Sequence, residues 1–265
     1  MITFPNAKIN IGLYITSKRE DGYHNIESCL YPIPWTDVLE IVPCKSFSFE
    51  QTGLTIPGEA SSNLCVKAYE LLLNKFDIPT VQIHLHKIIP MGAGLGGGSA
   101  DGAFTLKMLN QLFDLAIPID ELKGLSALLG SDCPFFIDNI PSVATETGTN
   151  LTPINLDLSN MYIGMINPNL HISTAEAYSG VTPKKSEFDL CNLGELDIKS
   201  WQQVISNDFE TSVFKQFPTL SILKQQFLKE GAVYSAMSGS GSTIFGLFEK
   251  PPATVDHYTY FSQLG

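Results

Sequence analysis

Between residues 92 and 98 five of seven positions are glycine, within the run Pro90, Met91, Gly92, Ala93, Gly94, Leu95, Gly96, Gly97, Gly98, Ser99, Ala100. Such a run is either slack linker or a backbone built to approach something closely, and its flanks decide between them. Upstream, Val81, Ile83 and Leu85 alternate with Gln82, His84 and His86, a strand period that Pro90 ends. Downstream, from Ser99 to about Phe113, Ala103, Phe104, Leu106, Leu109, Leu112 and Phe113 fall at helical spacing. The unit is strand, glycine loop, helix, with no linker composition around it. Free N–H groups of the loop and the dipole of the helix start can then surround phosphate oxygens. No Gly-Lys-Ser/Thr ends the loop as in a P-loop, and the spacing and missing acidic ribose partner do not fit a dinucleotide-binding turn.

Charge makes a local device of this kind necessary for any anionic ligand. Sixteen basic against 27 acidic residues give a formal net charge of −11, which argues against nucleic acid or an anionic membrane as partner. Five cysteines, Cys29, Cys44, Cys65, Cys133 and Cys191, form no CxxC pair, so neither a disulfide framework nor a zinc cluster is expected. His84, His86, His171 and His257 lack metal-ligand spacing, and no structural metal is expected. The start, MITFPNAKIN, has no basic region leading into an apolar stretch, and no apolar run reaches membrane-spanning length. A soluble, cytoplasmic protein with reduced thiols is the expectation, as monomer or homodimer.

With 265 residues the chain can form one large domain or two modest ones. Ile9, Ile11, Leu13 and Ile15 alternate with Asn10, Gly12, Tyr14 and Thr16 as in a half-buried strand, placing Lys8 and Asn10 on the opposite face. A strand is expected near Val38 to Val42, a helix capped by Asn63 and running to about Phe76, and another over Ile119 to Leu129. Turn formers crowd Thr147 to Asn160 before an apolar strand, Tyr162 to Ile166, and mark the candidate domain boundary. Helices follow at Ser200 to Lys215 and Pro218 to Lys229. Strands at Ala232 to Met237 and Thr243 to Phe248 flank a Ser/Gly turn, and the short tail leaves room for a shortened final helix. This order predicts an α+β protein with helices on one face of a largely antiparallel sheet.

Three further stretches read blandly on their own. Lys8, between Ala7 and Ile9, has the setting of a solvated edge charge. Asp132, in Gly130-Ser131-Asp132-Cys133-Pro134-Phe135-Phe136, reads as a helix N-cap or turn residue. Ser238-Gly239-Ser240-Gly241-Ser242-Thr243 reads as a hairpin turn. Taken together, and in this order, Pro5 to Leu13, Pro90 to Ala100 and Ser238 to Thr243 resemble the three motifs of the GHMP kinase superfamily over nearly the whole chain.

That resemblance implies a two-domain α+β fold: a ribosomal-protein-S5-like ATP-binding domain over 1–150 and a ferredoxin-like domain over 151–265, with the active site between them. It implies that Pro90 to Ala100 and Asn63 bind ATP, that Ser99 helps ligate its Mg2+, and that Lys8 and Asp132 are the catalytic pair. The Gly-Gly-Gly-Ser form of the loop is similar to the branch acting on a cytidyl diphosphate ester. So is Asp21-Gly22-Tyr23-His24-Asn25-Ile26-Glu27-Ser28, which would make Asn10, Tyr23 and His24 substrate-binding, with Tyr178 a second aromatic for the base. Two alternatives stay open: a GHMP kinase for a sugar or amino-acid alcohol, and a catalytically silent nucleotide-binding regulator.

Overall fold

The computed structural model describes residues 1–56 and 58–265. In chain order the strands are β1 (Ile2–Thr3), β2 (Asn6–Lys18), β3 (His24–Thr36), β4 (Val38–Pro43), β5 (Ser48–Gly53), β6 (Val81–Lys87), β7 (Ser142–Glu146), β8 (Asn150–Pro153), β9 (Tyr162–Ile166), β10 (Tyr234–Met237), β11 (Ile244–Phe248) and β12 (Tyr260–Gln263). The helices are α1 (Leu64–Leu73), α2 (Gly97–Leu112), α3 (Ile119–Ala127), α4 (Cys133–Asp138), α5 (Thr174–Ser179), α6 (Ile198–Val204), α7 (Phe209–Gln216) and α8 (Pro218–Lys229). Packing divides them into two compact units, and neither is a contiguous stretch. The first comprises Met1–Ala7, Trp35–Met91 and Gly96–Ile140; the second comprises Lys8–Pro34, Gly92–Leu95 and Pro141–Gly265. A single cut at residue 150 does not describe this grouping.

In the first unit a sheet of order β1-β4-β6-β5 carries α1 to α4, with β5 parallel to β6 and the other pairs antiparallel. Register puts Leu39 opposite Leu85 and Ile41 opposite Ile83, all fully buried, so the alternation of β6 faces the core as its period requires. Along α2, Ala100, Ala103, Leu106 and Leu109 are buried at three-residue spacing. Gly102 lets α1 come close: a Cβ there would lie 2.9 Å from that of Leu64. Asn63 caps α1, its side chain accepting from the Cys65 N–H at 2.9 Å, but the helix stops at Leu73 rather than Phe76.

In the second unit one sheet has order β2-β3-β7-β8 and another β10-β11-β9-β12. The expected half-buried first strand is instead buried over its first ten residues, Lys8 and Asn10 included. Strand β3 was hidden by Pro32 and Pro34, which would break most ladders; both lie beyond the last β7 pair, Leu30 with Ser142, where β7 asks for no N–H. The continuous helix expected over Ser200 to Lys215 is two helices. Backbone groups of Leu13 bond Ser206 O at 2.9 Å and the Asp208 N–H at 2.8 Å, and Asn207 donates to Met237 O and Gly239 O, so 205–208 is drawn out of helical geometry. The tail is a strand and not a short helix. β12 pairs with β9, and the Tyr258 ring before it stacks on Phe227, 5.2 Å between centroids.

Candidate active site

The stems of the glycine loop belong to the first unit. Gly96 caps α2 with φ 69°, a left-handed conformation that a side chain would strain, and the first helical N–H groups follow it. No acidic side chain stands in that first turn to compete for an anion. Beside it lies a cavity of about 360 Å³ lined by Gln51, Asn63, Leu64, Met91, Gly98 and Asp101 among others, a volume suited to a small ligand. The cap that Asn63 gives α1 uses its Oδ1 and leaves the amide nitrogen for that cavity. Neighbouring glycines here do different work. A Cβ on Gly97 would sit 2.9 Å from both Ile89 Cγ2 and Lys87 Nζ, whereas one on Gly98 would meet only the end of Met91, at 3.2 Å. Gly97→Ala is therefore expected to lower the unfolding temperature, and Gly98→Ala to fold normally while weakening nucleotide binding. Thermal melts and titration calorimetry on both check this.

The other part of the loop lies in the second unit, where three distant stretches meet at one carbonyl. Gly94 O accepts from Lys8 Nζ at 3.1 Å and from Ser238 Oγ at 2.8 Å. Lys8 is only 3% exposed; its ammonium also donates to Asn10 Oδ1 at 2.5 Å, and its backbone N–H to Leu95 O at 2.9 Å. The edge-charge reading is thereby corrected. Asn10 in turn donates from Nδ2 to Ser28 Oγ and from its backbone N–H to Ser238 Oγ. Ser238 to Thr243 is the turn between β10 and β11, as its composition predicts, and it is also a surface for the loop. The Thr243 N–H reaches Ala93 O at 3.3 Å. Gly92 stands 3.7 Å, measured from a built Cβ, from His171.

Asp132 is in the first unit, half-buried at the start of α4, with φ −83° and no capping bond from its side chain. The N-cap reading holds for its position and not for its carboxylate. Next to it Cys133 is hydrogen-bonded to Ser99, and burial pushes this thiol up to about 12, so it stays neutral at ordinary pH. Magnesium keeps several waters and takes few protein oxygens when phosphates share its shell. A lone serine hydroxyl at a helix start fits that donor set. Among the described residues no three His, Cys, Asp or Glu side chains are grouped to hold a metal.

Elsewhere in the second unit, His24 opens β3 and its ring stacks on Tyr178, 4.9 Å between centroids at 22°. Tyr178 meets the buried Phe209 edge-on at 4.8 Å. It stands on α5, whose start is fixed by a capping box between Ser173 and Glu176. One face of the imidazole is thus covered and its edge is left to hydrogen-bond. Tyr23 is 68% exposed, at the end of a turn in which its N–H is taken by Asp21 Oδ1 at 3.0 Å.

Sequence reading passed over one cluster. Lys87, Asp37 and Asp101 are buried together in the first unit, Lys87 Nζ donating to Asp101 Oδ2 at 2.8 Å and to Asp37 Oδ2. Burial raises the Asp101 carboxyl well above its usual range against the pull of Lys87; burial would lower Lys87, but Asp101 and Asp37 outweigh it. A signal was present: Lys87 continues the inward phase of Val81, Ile83 and Leu85.

Comparison with known proteins identifies the family and the fold. The GHMP kinases N terminal domain matches residues 63–139 and the GHMP kinases C terminal domain residues 189–256. A 4-diphosphocytidyl-2-C-methyl-D-erythritol kinase of Cytophaga hutchinsonii is 49% identical over 260 residues, covering 98% of this chain and 96% of that one. One from Parabacteroides distasonis is also 49% identical, covering 95% and 93%. A crystal structure of 4-(cytidine 5'-diphospho)-2C-methyl-D-erythritol kinase superposes with TM-score 0.82 at 31% identity over 95% of this chain and 91% of that one. Homoserine kinase of C. hutchinsonii, at TM-score 0.65 and 17% identity, shares the fold alone. The fold is the α+β arrangement of GHMP kinases, and the chain belongs to the 4-diphosphocytidyl-2-C-methyl-D-erythritol kinase family within that superfamily.

Proposed function

We propose that this chain transfers the γ-phosphoryl group of ATP to the 2-hydroxyl of 4-diphosphocytidyl-2-C-methyl-D-erythritol, in the cytoplasm, as a step of the non-mevalonate route to isoprenoid precursors. The observation that carries the reading is the meeting of the first-strand motif, the glycine loop and the Ser/Gly turn at Gly94 O, in a chain so similar to kinases of that name. The division 1–150 and 151–265 is proposed for the family's N- and C-terminal domains.

Phosphoryl transfer asks for positioning and for charge stabilisation more than for covalent chemistry. Pro90 to Ala100 and Asn63 hold the nucleotide, from which the phosphoryl group comes; Ser99 would help hold Mg2+, which would supply neutralisation of phosphate charge. Lys8, oriented by Asn10, stabilises oxygen charge on the transferred group, and Asp132 accepts or orients the hydroxyl proton. No helix among the described residues is long and apolar enough to cross a membrane.

Cytosine is recognised by Tyr23 and His24, with Tyr178 fixing the imidazole. Stacking on an aromatic is worth roughly 1 to 3 kcal/mol per base whatever the base, so Tyr23 supplies affinity. His24, with one face against Tyr178, offers ring-edge hydrogen bonds that distinguish cytosine from uracil. Tyr23→Ala is expected to raise the KM for the cytidyl ester with that for ATP unchanged. His24→Ala should also narrow the preference over the uridyl analogue. The deciding assay incubates the protein with ATP, Mg2+ and the cytidyl ester; ADP with a monophosphorylated ester supports the reading, and turnover of homoserine or mevalonate alone would move it to another GHMP kinase.

A further inference from the structure

The buried cluster of the first unit lies where the glycine loop leaves the sheet and where it enters the helix. Asp37, between β3 and β4, accepts the Ile88 N–H at 2.5 Å and the Ile89 N–H at 2.8 Å on Oδ1, while its Oδ2 takes Lys87. Those three residues are the last before the loop. Across it, Lys87 Nζ holds Asp101, on the second turn of α2, and lies 2.9 Å from where a Gly97 Cβ would be. Ile89 touches the same point from the other side, also at 2.9 Å. Residues 90–96 are therefore an excursion whose two stems are in contact, and the Lys87 ammonium ties one stem to the other.

Stability does not account for the arrangement. Two carboxylates and one ammonium are desolvated together, all nearly fully buried, and Asp101 Oδ1 has no hydrogen-bond partner among the described residues. Apolar side chains of similar volume commonly hold a core at least as well as a buried ion cluster. What such a cluster supplies and a greasy contact does not is direction, because hydrogen bonds fix both distance and angle. The N–H groups that open α2 must point at an anion within that tolerance.

We infer that Asp37, Lys87 and Asp101 form a positioning clamp, which sets the spacing of the loop stems and aims the first N–H groups of α2 at the nucleotide phosphates. None of the three touches the reacting atoms. The inference rests on the nucleotide-binding reading of the loop.

The test is an uncharged triple variant, Asp37→Asn with Lys87→Met and Asp101→Leu, beside the single Asp101→Asn. Calorimetry with Mg-ATP, affinity for the cytidyl ester without nucleotide, thermal melts and amide exchange are measured on the full chain. Misaimed N–H groups are expected to weaken Mg-ATP binding about tenfold or more in the triple variant, with unfolding temperature and ester affinity near wild type and faster exchange over 88–99. Asp101→Asn, which keeps an acceptor for Lys87, should show the same loss in smaller measure, about threefold. A folded triple variant that binds Mg-ATP as wild type does would overturn the clamp. Should the triple variant not fold, wild-type nucleotide affinity in Asp101→Asn overturns it equally. Wild-type protein that binds no Mg-ATP would instead remove the nucleotide reading, and the clamp with it.

Discussion

Replacing Lys8 by alanine is expected to lower kcat about a hundredfold, ~2.7 kcal/mol of transition-state stabilisation, while Mg-ATP still binds. The split follows from what the ammonium holds. The Lys8 backbone N–H keeps Leu95 O at 2.9 Å, and Gly94 O keeps the Ser238 hydroxyl at 2.8 Å, so the loop stays attached without the side chain. What disappears is a buried positive charge, and in a water-poor site such a charge acts far more strongly than in solvent. Asp132→Asn keeps the shape of its side chain and removes its basicity. Its kcat should fall about tenfold to a hundredfold with ATP affinity retained. Steady-state kinetics beside calorimetry measure both; wild-type kcat in the two variants would take them out of the mechanism.

Gly94→Ala is expected to cost both fold and activity. Its φ of 78° already strains any side chain, by about 1–2 kcal/mol. The larger effect is overlap: a Cβ there would fall 1.9 Å from Ser238 O and 2.8 Å from Ser238 C, backbone atoms that cannot swing aside. Either the loop or the turn between β10 and β11 must move, and with it the carbonyl on which Lys8 and Ser238 converge. A fall in unfolding temperature of about 5 °C or more is expected for a chain of this size. Gly124→Ala serves as control. It lies inside α3 with nothing within 4 Å of its built Cβ, and should stabilise by about 0.5–1 kcal/mol. Equal melting curves and kinetics for Gly94→Ala and wild type would contradict the packing described.

Local periodicity was a good guide where a segment's neighbours agree with it. The strand Tyr162–Ile166 and the helix Pro218–Lys229 begin and end where their patterns place them. It failed where a distant backbone intervenes, as when Leu13 donates to Ser206 O and accepts from the Asp208 N–H and so divides one expected helix into two. The burial of Lys8 was illegible for the same reason: its acceptor on Gly94 is 86 residues away. Lys87 was legible in principle, since a charge on the inward phase of a strand must find partners, but the identity of those partners, Asp37 and Asp101, is set by tertiary packing. Family membership was readable from three motifs and their order. Spacing alone left Asp132 as a cap or turn residue, and the structure gives it the place of one without the bond.

The interleaving of the two units bears on synthesis. The chain passes from one to the other at five points, Ala7/Lys8, Pro34/Trp35, Met91/Gly92, Leu95/Gly96 and Ile140/Pro141. The Ile15 N–H finds its acceptor, Asp208, 193 residues later. At ordinary translation rates that is a wait on the order of 10–40 s, during which β2, an apolar strand buried along most of its length in the finished protein, has no completed partner set. A cut after Ile140 keeps every segment of the first unit on one side, but the second unit cannot be released by cutting the gene at one place, because it would lose β2 and β3. Until Asp208 has emerged, β2 therefore lacks part of the partner set that buries it in the finished protein.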